Sequence, residues 1–206
     1  ALGATFDDIR GHSLNSDRIV FVAPGIVAYD ATLKQDVTLP GSYSAAAIAG
    51  LMSSYDPHVS LTNKPVPVAG LERKFTNPEL AVLLEEGRVL ALQSKLGFKV
   101  VRGITTSTNT AWKQITTRRI VDFAKYGVRS AADPYIGMLN NERVRGALRA
   151  TINSFLAEMV EDEMLIGYDL NVSATREQEL QGICAVTMVV RPVFSIDFIK
   201  VTMFLA

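Results

Sequence analysis

The carboxy-terminal stretch Gly182–Ala206, with the sequence GICAVTMVVRPVFSIDFIKVTMFLA, decides the fold that the chain is expected to adopt. Its first part, Ile183–Val190, is almost continuously apolar and rich in β-branched residues, which is typical of a strand buried on both faces. Arg191-Pro192 interrupts this run. The part that follows alternates in polarity from Phe198 onward, which predicts a second strand at the end of the stretch.

The second predicted strand carries apolar residues on both faces and has no charged residue near its end. An apolar edge strand of this kind is a template for pairing with another chain. Two interpretations are open: the strand pairs within its own sheet, or it is donated to a neighbouring molecule by β-augmentation. For the second interpretation, the residues of the linking strand are Phe198, Ile199, Val201, Met203, Phe204 and Leu205.

Composition narrows the possible functions. A chain of 206 residues is long enough for one large domain or two small ones with a sizeable core. Its 21 basic and 21 acidic residues give a net charge of zero, which argues against nucleic acid as the main partner. The sequence has no apolar run of the length of a transmembrane helix, so we expect no membrane partner. Its single cysteine, Cys184, excludes an internal disulfide.

Hydrophobic spacing predicts four helices. They cover Ser42–Met52, Thr76–Gly87 with a capping box from Thr76 to Glu79, Ile115–Ala132, and Asn141–Glu163. Val37–Gly41 reads as a turn and Thr175–Gln181 as a charged loop, and strands are predicted at Arg88–Leu92, Lys99–Ile104 and Gly167–Ser173. Two helices followed by three strands in the second half predict an α+β unit. The polar run Thr105–Thr110 suggests a boundary between a domain at 1–107 and another at 108–206.

Residues that could carry catalysis do not form a recognisable constellation. The stretch Gly41–Gly50 resembles the nucleophile helix of subtilisin-like proteases, with Ser42 or Ser44 as the candidate nucleophile of a serine hydrolase. A triad needs a base within reach of the serine, and the only histidines, His12 and His58, do not follow the subtilisin order. We therefore interpret the helix as a small-residue packing helix. No spacing indicates a metal or phosphate site, so we expect no catalytic, metal or cofactor-binding residues and no cofactor.

The long helix Asn141–Glu163 has an unusual charge distribution. Arg143, Arg145 and Arg149 lie near its start, whereas Glu158 and Glu161 lie near its end. The helix dipole favours the opposite arrangement. The charges either form a solvated face or meet complementary groups on a neighbouring subunit, so these five residues are a candidate charged interface.

Several short motifs, in order, resemble contractile tail sheath proteins of phages, R-type pyocins and related contractile injection particles. The motifs are Val59–Leu71, Thr76–Gly87, Val100–Gly103 with Thr105-Thr106, Thr117–Asp122, Tyr135–Gly137, Phe155-Leu156, Arg191–Val193 and Phe198–Val201. They extend from about Pro40 to the end of the sequence. The resemblance implies that residues 1–107 are part of a subtilisin-like-fold sheath domain and that 108–206 form the sheath C-terminal domain with its terminal linking strand.

The resemblance also implies a structural function. Sheath subunits form six-membered rings that stack helically around a tail tube, and their terminal arms pair as strands with the sheets of adjacent subunits. Expected partners are therefore other copies of the chain, the tube protein, and baseplate and tail terminator proteins, and the expected location is the virion tail, assembled in the host cytoplasm. The amino-terminal arm and outer domain of a typical member are not visible in the sequence; if Ala1 is the native start, the chain lacks one half of the usual linkage between subunits. A non-contractile interaction module with the same fold is the remaining alternative.

Overall fold

The computed structural model describes residues 4–204, which divide into two compact units. The first unit contains the described residues up to Arg118 and those from Phe194 onward, and the second unit is Arg119–Val193. The chain therefore returns to the first unit after it has completed the second. The mixed α+β class predicted from the sequence is confirmed, whereas the division into sheath domains after residue 107 stays a prediction.

The first unit combines two small three-stranded sheets with three helices. Its elements are α1 (Phe6–Arg10), β1 (Val22–Ala23), β2 (Ile26–Asp30), β3 (Gln35–Leu39), α2 (Gly41–Ser53), β4 (Gly70–Leu71), α3 (Asn77–Glu85), β5 (Leu90–Gln93) and β6 (Lys99–Val100). One sheet has the order β1-β5-β6, with β1 parallel to β5, and the other has the order β3-β2-β4. The main core is formed by Val22, Ile26, Ile48, Leu61, Val66, Leu71, Leu90, Leu92, Val100 and Ile115.

Two of the predicted helices of this unit are confirmed, but one hairpin was missed. The α3 helix begins after Thr76, whose backbone N–H and hydroxyl both donate to the Glu79 carboxylate at 2.8 and 2.9 Å. The prediction of a turn at Val37–Gly41 was wrong, because β3 pairs there with β2 along its whole length. The strand β3 is largely exposed, and its alternation is limited to Val37 and Leu39, which is too short to distinguish a strand from a turn.

The second unit is a helical layer covered by a two-stranded antiparallel sheet. The helices are α4 (Ile115–Ala132), which begins in the first unit, and α5 (Glu142–Glu161), and the strands are β7 (Leu165–Ser173) and β8 (Ala185–Pro192). One face of the sheet packs on the helices through Tyr168, Leu170, Val172, Val186, Met188 and Val190. The core beneath it includes Ile120, Ala124, Leu148, Ile152, Leu156 and Met159.

The closing stretch differs from its sequence prediction in two ways. The strand β8 is not buried on both faces: its burial alternates, because helices cover only one side of the sheet. It ends at Pro192, two residues beyond the predicted end at Val190. Residues 193–204 contain no strand, so the described part of the second half has two strands and not three. The predicted loop Thr175–Gln181 contains the short helix α6 (Arg176–Leu180), which begins with a capping box from Thr175 to Gln178.

Candidate inter-subunit linking surface

The residues predicted to form a linking strand lie exposed in the first unit. We call Phe198–Phe204 the linking segment; it has no helix or strand within the described part of the chain. The exposed fraction of its apolar residues rises from 66% at Phe198 to 92% at Phe204, and Ile199, Val201 and Met203 lie between these values. Leu205 lies outside the described residues. The structure thus shows a run of large apolar side chains without a place in the core of its own unit.

A buried polar cluster holds the chain immediately before this segment. The Asp197 carboxylate accepts hydrogen bonds from Arg102 Nε at 2.7 Å, Gln114 Nε2 at 2.9 Å and Thr62 Oγ1 at 3.0 Å. The side chains of Asp197 and Arg102 are only 4% and 13% exposed. A carboxylate that is removed from water requires such partners, so the cluster fixes Asp197 in place.

The same cluster holds the backbone two residues earlier. Gln114 Nε2 donates to the Ser195 carbonyl at 2.9 Å, and the Ser195 N–H donates to Gln114 Oε1 at 3.0 Å. The guanidinium of Arg102 lies over the ring of Phe198, 4.7 Å from its centroid. Sequence reasoning missed Thr62, Arg102, Gln114 and Asp197. Asp197 could have been noticed as the only acidic residue between Gly182 and Ala206, but its partners are remote in sequence.

The structure separates the five residues of the candidate charged interface. Four of them, namely Arg143, Arg149, Glu158 and Glu161, are exposed and form no ion pair within residues 4–204. Arg145 instead donates to Glu179 of α6 at 2.9 Å and to the side chain of Asn140 at 2.9 Å. Hydrogen bonds from Arg145 and then Arg176 lower the pKa of Glu179. The interface role of all five residues stays a prediction, and Arg145 has in addition a partner within its own chain.

The sheet of the second unit has two features expected of a surface that accepts a strand from another copy. Within the described residues β7 pairs only with β8, so each strand has one edge without a neighbouring strand. The start of β8 borders a groove of about 380 Å³. Its apolar lining includes Ile136, Met138, Leu139, Val144, Ile183 and Val186.

The serine hydrolase alternative finds no support in the geometry. Ser44 is buried and its hydroxyl donates to the Pro24 carbonyl at 2.6 Å, so it packs α2 against the neighbouring loop. Ser42 is exposed, and neither histidine is bonded to it. Among residues 4–204, no three His, Cys, Asp or Glu side chains cluster so that they could hold a metal ion. The described helices include none that is long and apolar enough to cross a membrane.

Comparison with solved structures places the fold among contractile particles. The contracted helical sheath of the anti-feeding prophage has a TM-score of 0.79 and 18% identity, with 93% of this chain and 57% of that chain covered. The contracted sheath complex of the extracellular contractile injection system PVC has a TM-score of 0.80 and 16% identity, with 96% and 58% covered. The sheath tail protein Lin1278 from Listeria innocua has a TM-score of 0.72 and 16% identity, with 87% and 44% covered.

The chain therefore spans less than three fifths of each of these sheath structures. No curated protein sequence matches it. A family profile described as the phage tail sheath C-terminal domain matches residues 107–206. The resemblance to contractile tail sheath proteins is thereby confirmed, and the sequence match rests on residues 107–206, which are similar to phage tail sheath C-terminal domains.

Proposed function

We propose that the chain is a structural subunit of a contractile tail sheath. Its copies would polymerise as stacked six-membered rings around a tail tube and contract to drive the tube through the host envelope. Baseplate and tail terminator proteins would bind the ends of the sheath in the tail of a virion or of a related particle. The observation that carries the proposal is the linking segment, Phe198–Phe204, which is exposed and apolar but is held firmly at its base.

The linking segment has the properties of a donated strand. Its side chains alternate, with Ile199, Val201 and Met203 on one side of an extended chain. Each such side chain that becomes fully buried on a partner contributes roughly 1.5–3 kcal/mol. Addition to a sheet edge would also satisfy the backbone N–H and C=O groups of the segment.

The receiving edge in this proposal is the sheet of β7 and β8 in another copy. A two-stranded sheet is marginal by itself, and additional strands extend both its hydrogen-bonding ladder and its apolar face. The apolar groove at the start of β8, lined in part by Ile183 and Val186, offers space for large side chains of an added segment. Links of this type survive changes in subunit orientation, because the backbone hydrogen bonds persist while the flanking residues bend. Contraction driven by better burial and charge pairing between subunits needs no nucleotide.

Deletion of residues 198–206 tests the proposal. We expect the shortened chain to remain folded, because the linking segment contributes little to the core, and to lose the ability to form sleeves or rings in electron micrographs and sedimentation. A matched control replaces Leu33 and Leu96 by Ser; both are exposed apolar residues in turns of the first unit. The control should assemble like the wild type. Sleeves formed by the deletion variant would refute the linking role, and particles without rings or tubes from the wild type would favour a non-contractile module.

A further inference from the structure

The polar cluster before the linking segment immobilises the chain through an ion pair and several hydrogen bonds. We call Thr62, Arg102, Gln114, Ser195 and Asp197 the exit clamp. We propose that the exit clamp holds the point at which the linking segment leaves the first unit, so that a pull on the segment is transmitted to the body of the subunit. This inference rests on the proposed linking role, and it assigns Asp197, Arg102 and Gln114 as positioning residues.

The charge and burial of Asp197 explain why the clamp resists opening. Both carboxylate oxygens accept hydrogen bonds, Oδ2 from Arg102 and Gln114 and Oδ1 from Thr62. Withdrawal of the segment would separate a buried ion pair and leave several donors unsatisfied in the same step. The backbone of Ser195 is held by the same Gln114 side chain on both its N–H and its carbonyl.

The partners of Asp197 are themselves tied to the body of the first unit. Arg102 Nη1 donates to Glu85 at the end of α3 at 3.1 Å, and Lys113 Nζ donates to the other oxygen of the same carboxylate at 3.1 Å. The hydroxyl of Thr62 accepts from the Gly103 N–H at 3.1 Å. A force applied at Asp197 is therefore shared by three parts of the first unit: the end of α3, the residues directly after β6, and the residues directly before α4.

The change from held to exposed chain occurs within one or two residues. Beyond Asp197, the ring of Phe198 still lies beneath the Arg102 guanidinium, whereas Ile199 and the apolar residues after it are exposed. Seven residues in extended conformation reach at most about 23–25 Å from the clamp. A fixed origin raises the effective concentration of the segment at one receiving edge, and a loosened origin lowers it.

Substitutions that loosen the clamp without shortening the segment test the inference. Asp197→Asn removes the charge but leaves Arg102 paired with Glu85. Gln114→Ala removes the bonds to Ser195 and one bond to Asp197, while the Arg102–Asp197 ion pair remains. The matched control is Glu86→Gln, which breaks the exposed Arg10–Glu86 pair at 3.7 Å elsewhere in the first unit. Amide hydrogen exchange is measured on each variant below the concentration at which it assembles, and assembly is followed by sedimentation over a concentration series.

We expect exchange of the Ser195 amide to accelerate about tenfold or more in both clamp variants, while amides of β7 and β8 keep their rates. The concentration for half-maximal assembly should rise about tenfold, and the control should match the wild type in both measurements. Faster exchange with unchanged assembly would overturn the inference, as would weakened assembly with unchanged exchange. If Asp197→Asn fails to fold, Gln114→Ala decides alone. Because the deletion of residues 198–206 tests the linking role separately, normal assembly of the clamp variants would refute the clamp and leave the linking role intact.

Discussion

Substitution of Gly127 by Ala should destabilise the second unit, although the same change is normally favourable inside a helix. Gly127 lies in the interior of α4, and sequence reasoning alone assigns it a cost of ~1 kcal/mol relative to Ala. In the structure, a Cβ atom at this position would overlap the ring of Phe155 on α5. The missing side chain therefore allows the aromatic ring to pack against the backbone of α4.

The magnitude follows from what the Phe155 ring would lose. The ring is half-buried and packs against Phe123 with centroids 5.9 Å apart. Displacement of the ring forfeits roughly 2–3 kcal/mol of burial and aromatic contact, which exceeds the helix-propensity gain of ~1 kcal/mol. We expect Gly127→Ala to lower the free energy of unfolding by about 1–2 kcal/mol and the melting temperature by about 3–6 °C.

Chemical denaturation and calorimetry of three variants check this reasoning. Gly146→Ala is the matched control, because Gly146 lies inside α5 and its added Cβ would meet nothing within 4 Å beyond the adjacent residues and backbone of its own helix. It should raise stability by about 1 kcal/mol. In a Phe155→Ala background the obstacle is absent, so Gly127→Ala should become favourable by a similar amount. If Gly127→Ala and Gly146→Ala stabilise the otherwise wild-type chain equally, the proposed packing of the Phe155 ring against Gly127 is refuted.

Two further predictions concern titration and surface charge. Burial lowers the pKa of His12 below its ordinary value of 6.5, so the unfolded chain binds the proton more readily than the folded chain. The contribution of His12 to stability should therefore be constant above about pH 6.5 and fall below it. His12→Gln should reduce this fall, measured as the difference in the free energy of unfolding by urea between pH 7.5 and pH 5.5. An equal fall in both proteins would contradict this assignment. Replacement of Arg143 and Arg149 by Gln should leave the melting temperature unchanged or slightly higher, but it should weaken assembly, most strongly at low salt. Arg145→Gln should instead lower the melting temperature, because Arg145 pairs with Glu179 in its own chain. Equal assembly of the wild type and the double variant at every salt concentration would return the two arginines to a solvated face.

Local sequence determined the four longer helices of this protein, α2 to α5. The bounds predicted for α4 are those of the structure, and α3 begins at the predicted capping box. Spacing at three and four residues and capping within one turn are local properties, so they can be read without knowledge of the rest of the chain. The order of short motifs likewise pointed to the sheath family, and the apolar character of residues 198–204 was visible in the alternation of the sequence.

Tertiary structure decided which apolar residues of the closing stretch are buried by other elements of the fold. Ile183–Val190 reads as a strand buried on both sides, but helices cover one face only, and the second apolar run has no strand partner within the described residues. Periodicity reports which side chains share a face; it does not report whether anything packs against that face. Asp197 is conspicuous in the sequence only as the single acidic residue of the closing stretch, and its role is not visible there because its ion pair joins residues 95 positions apart. Only the folded chain brings Arg102 and Gln114 to that carboxylate, and this long-range contact fixes the point where the linking segment leaves the unit.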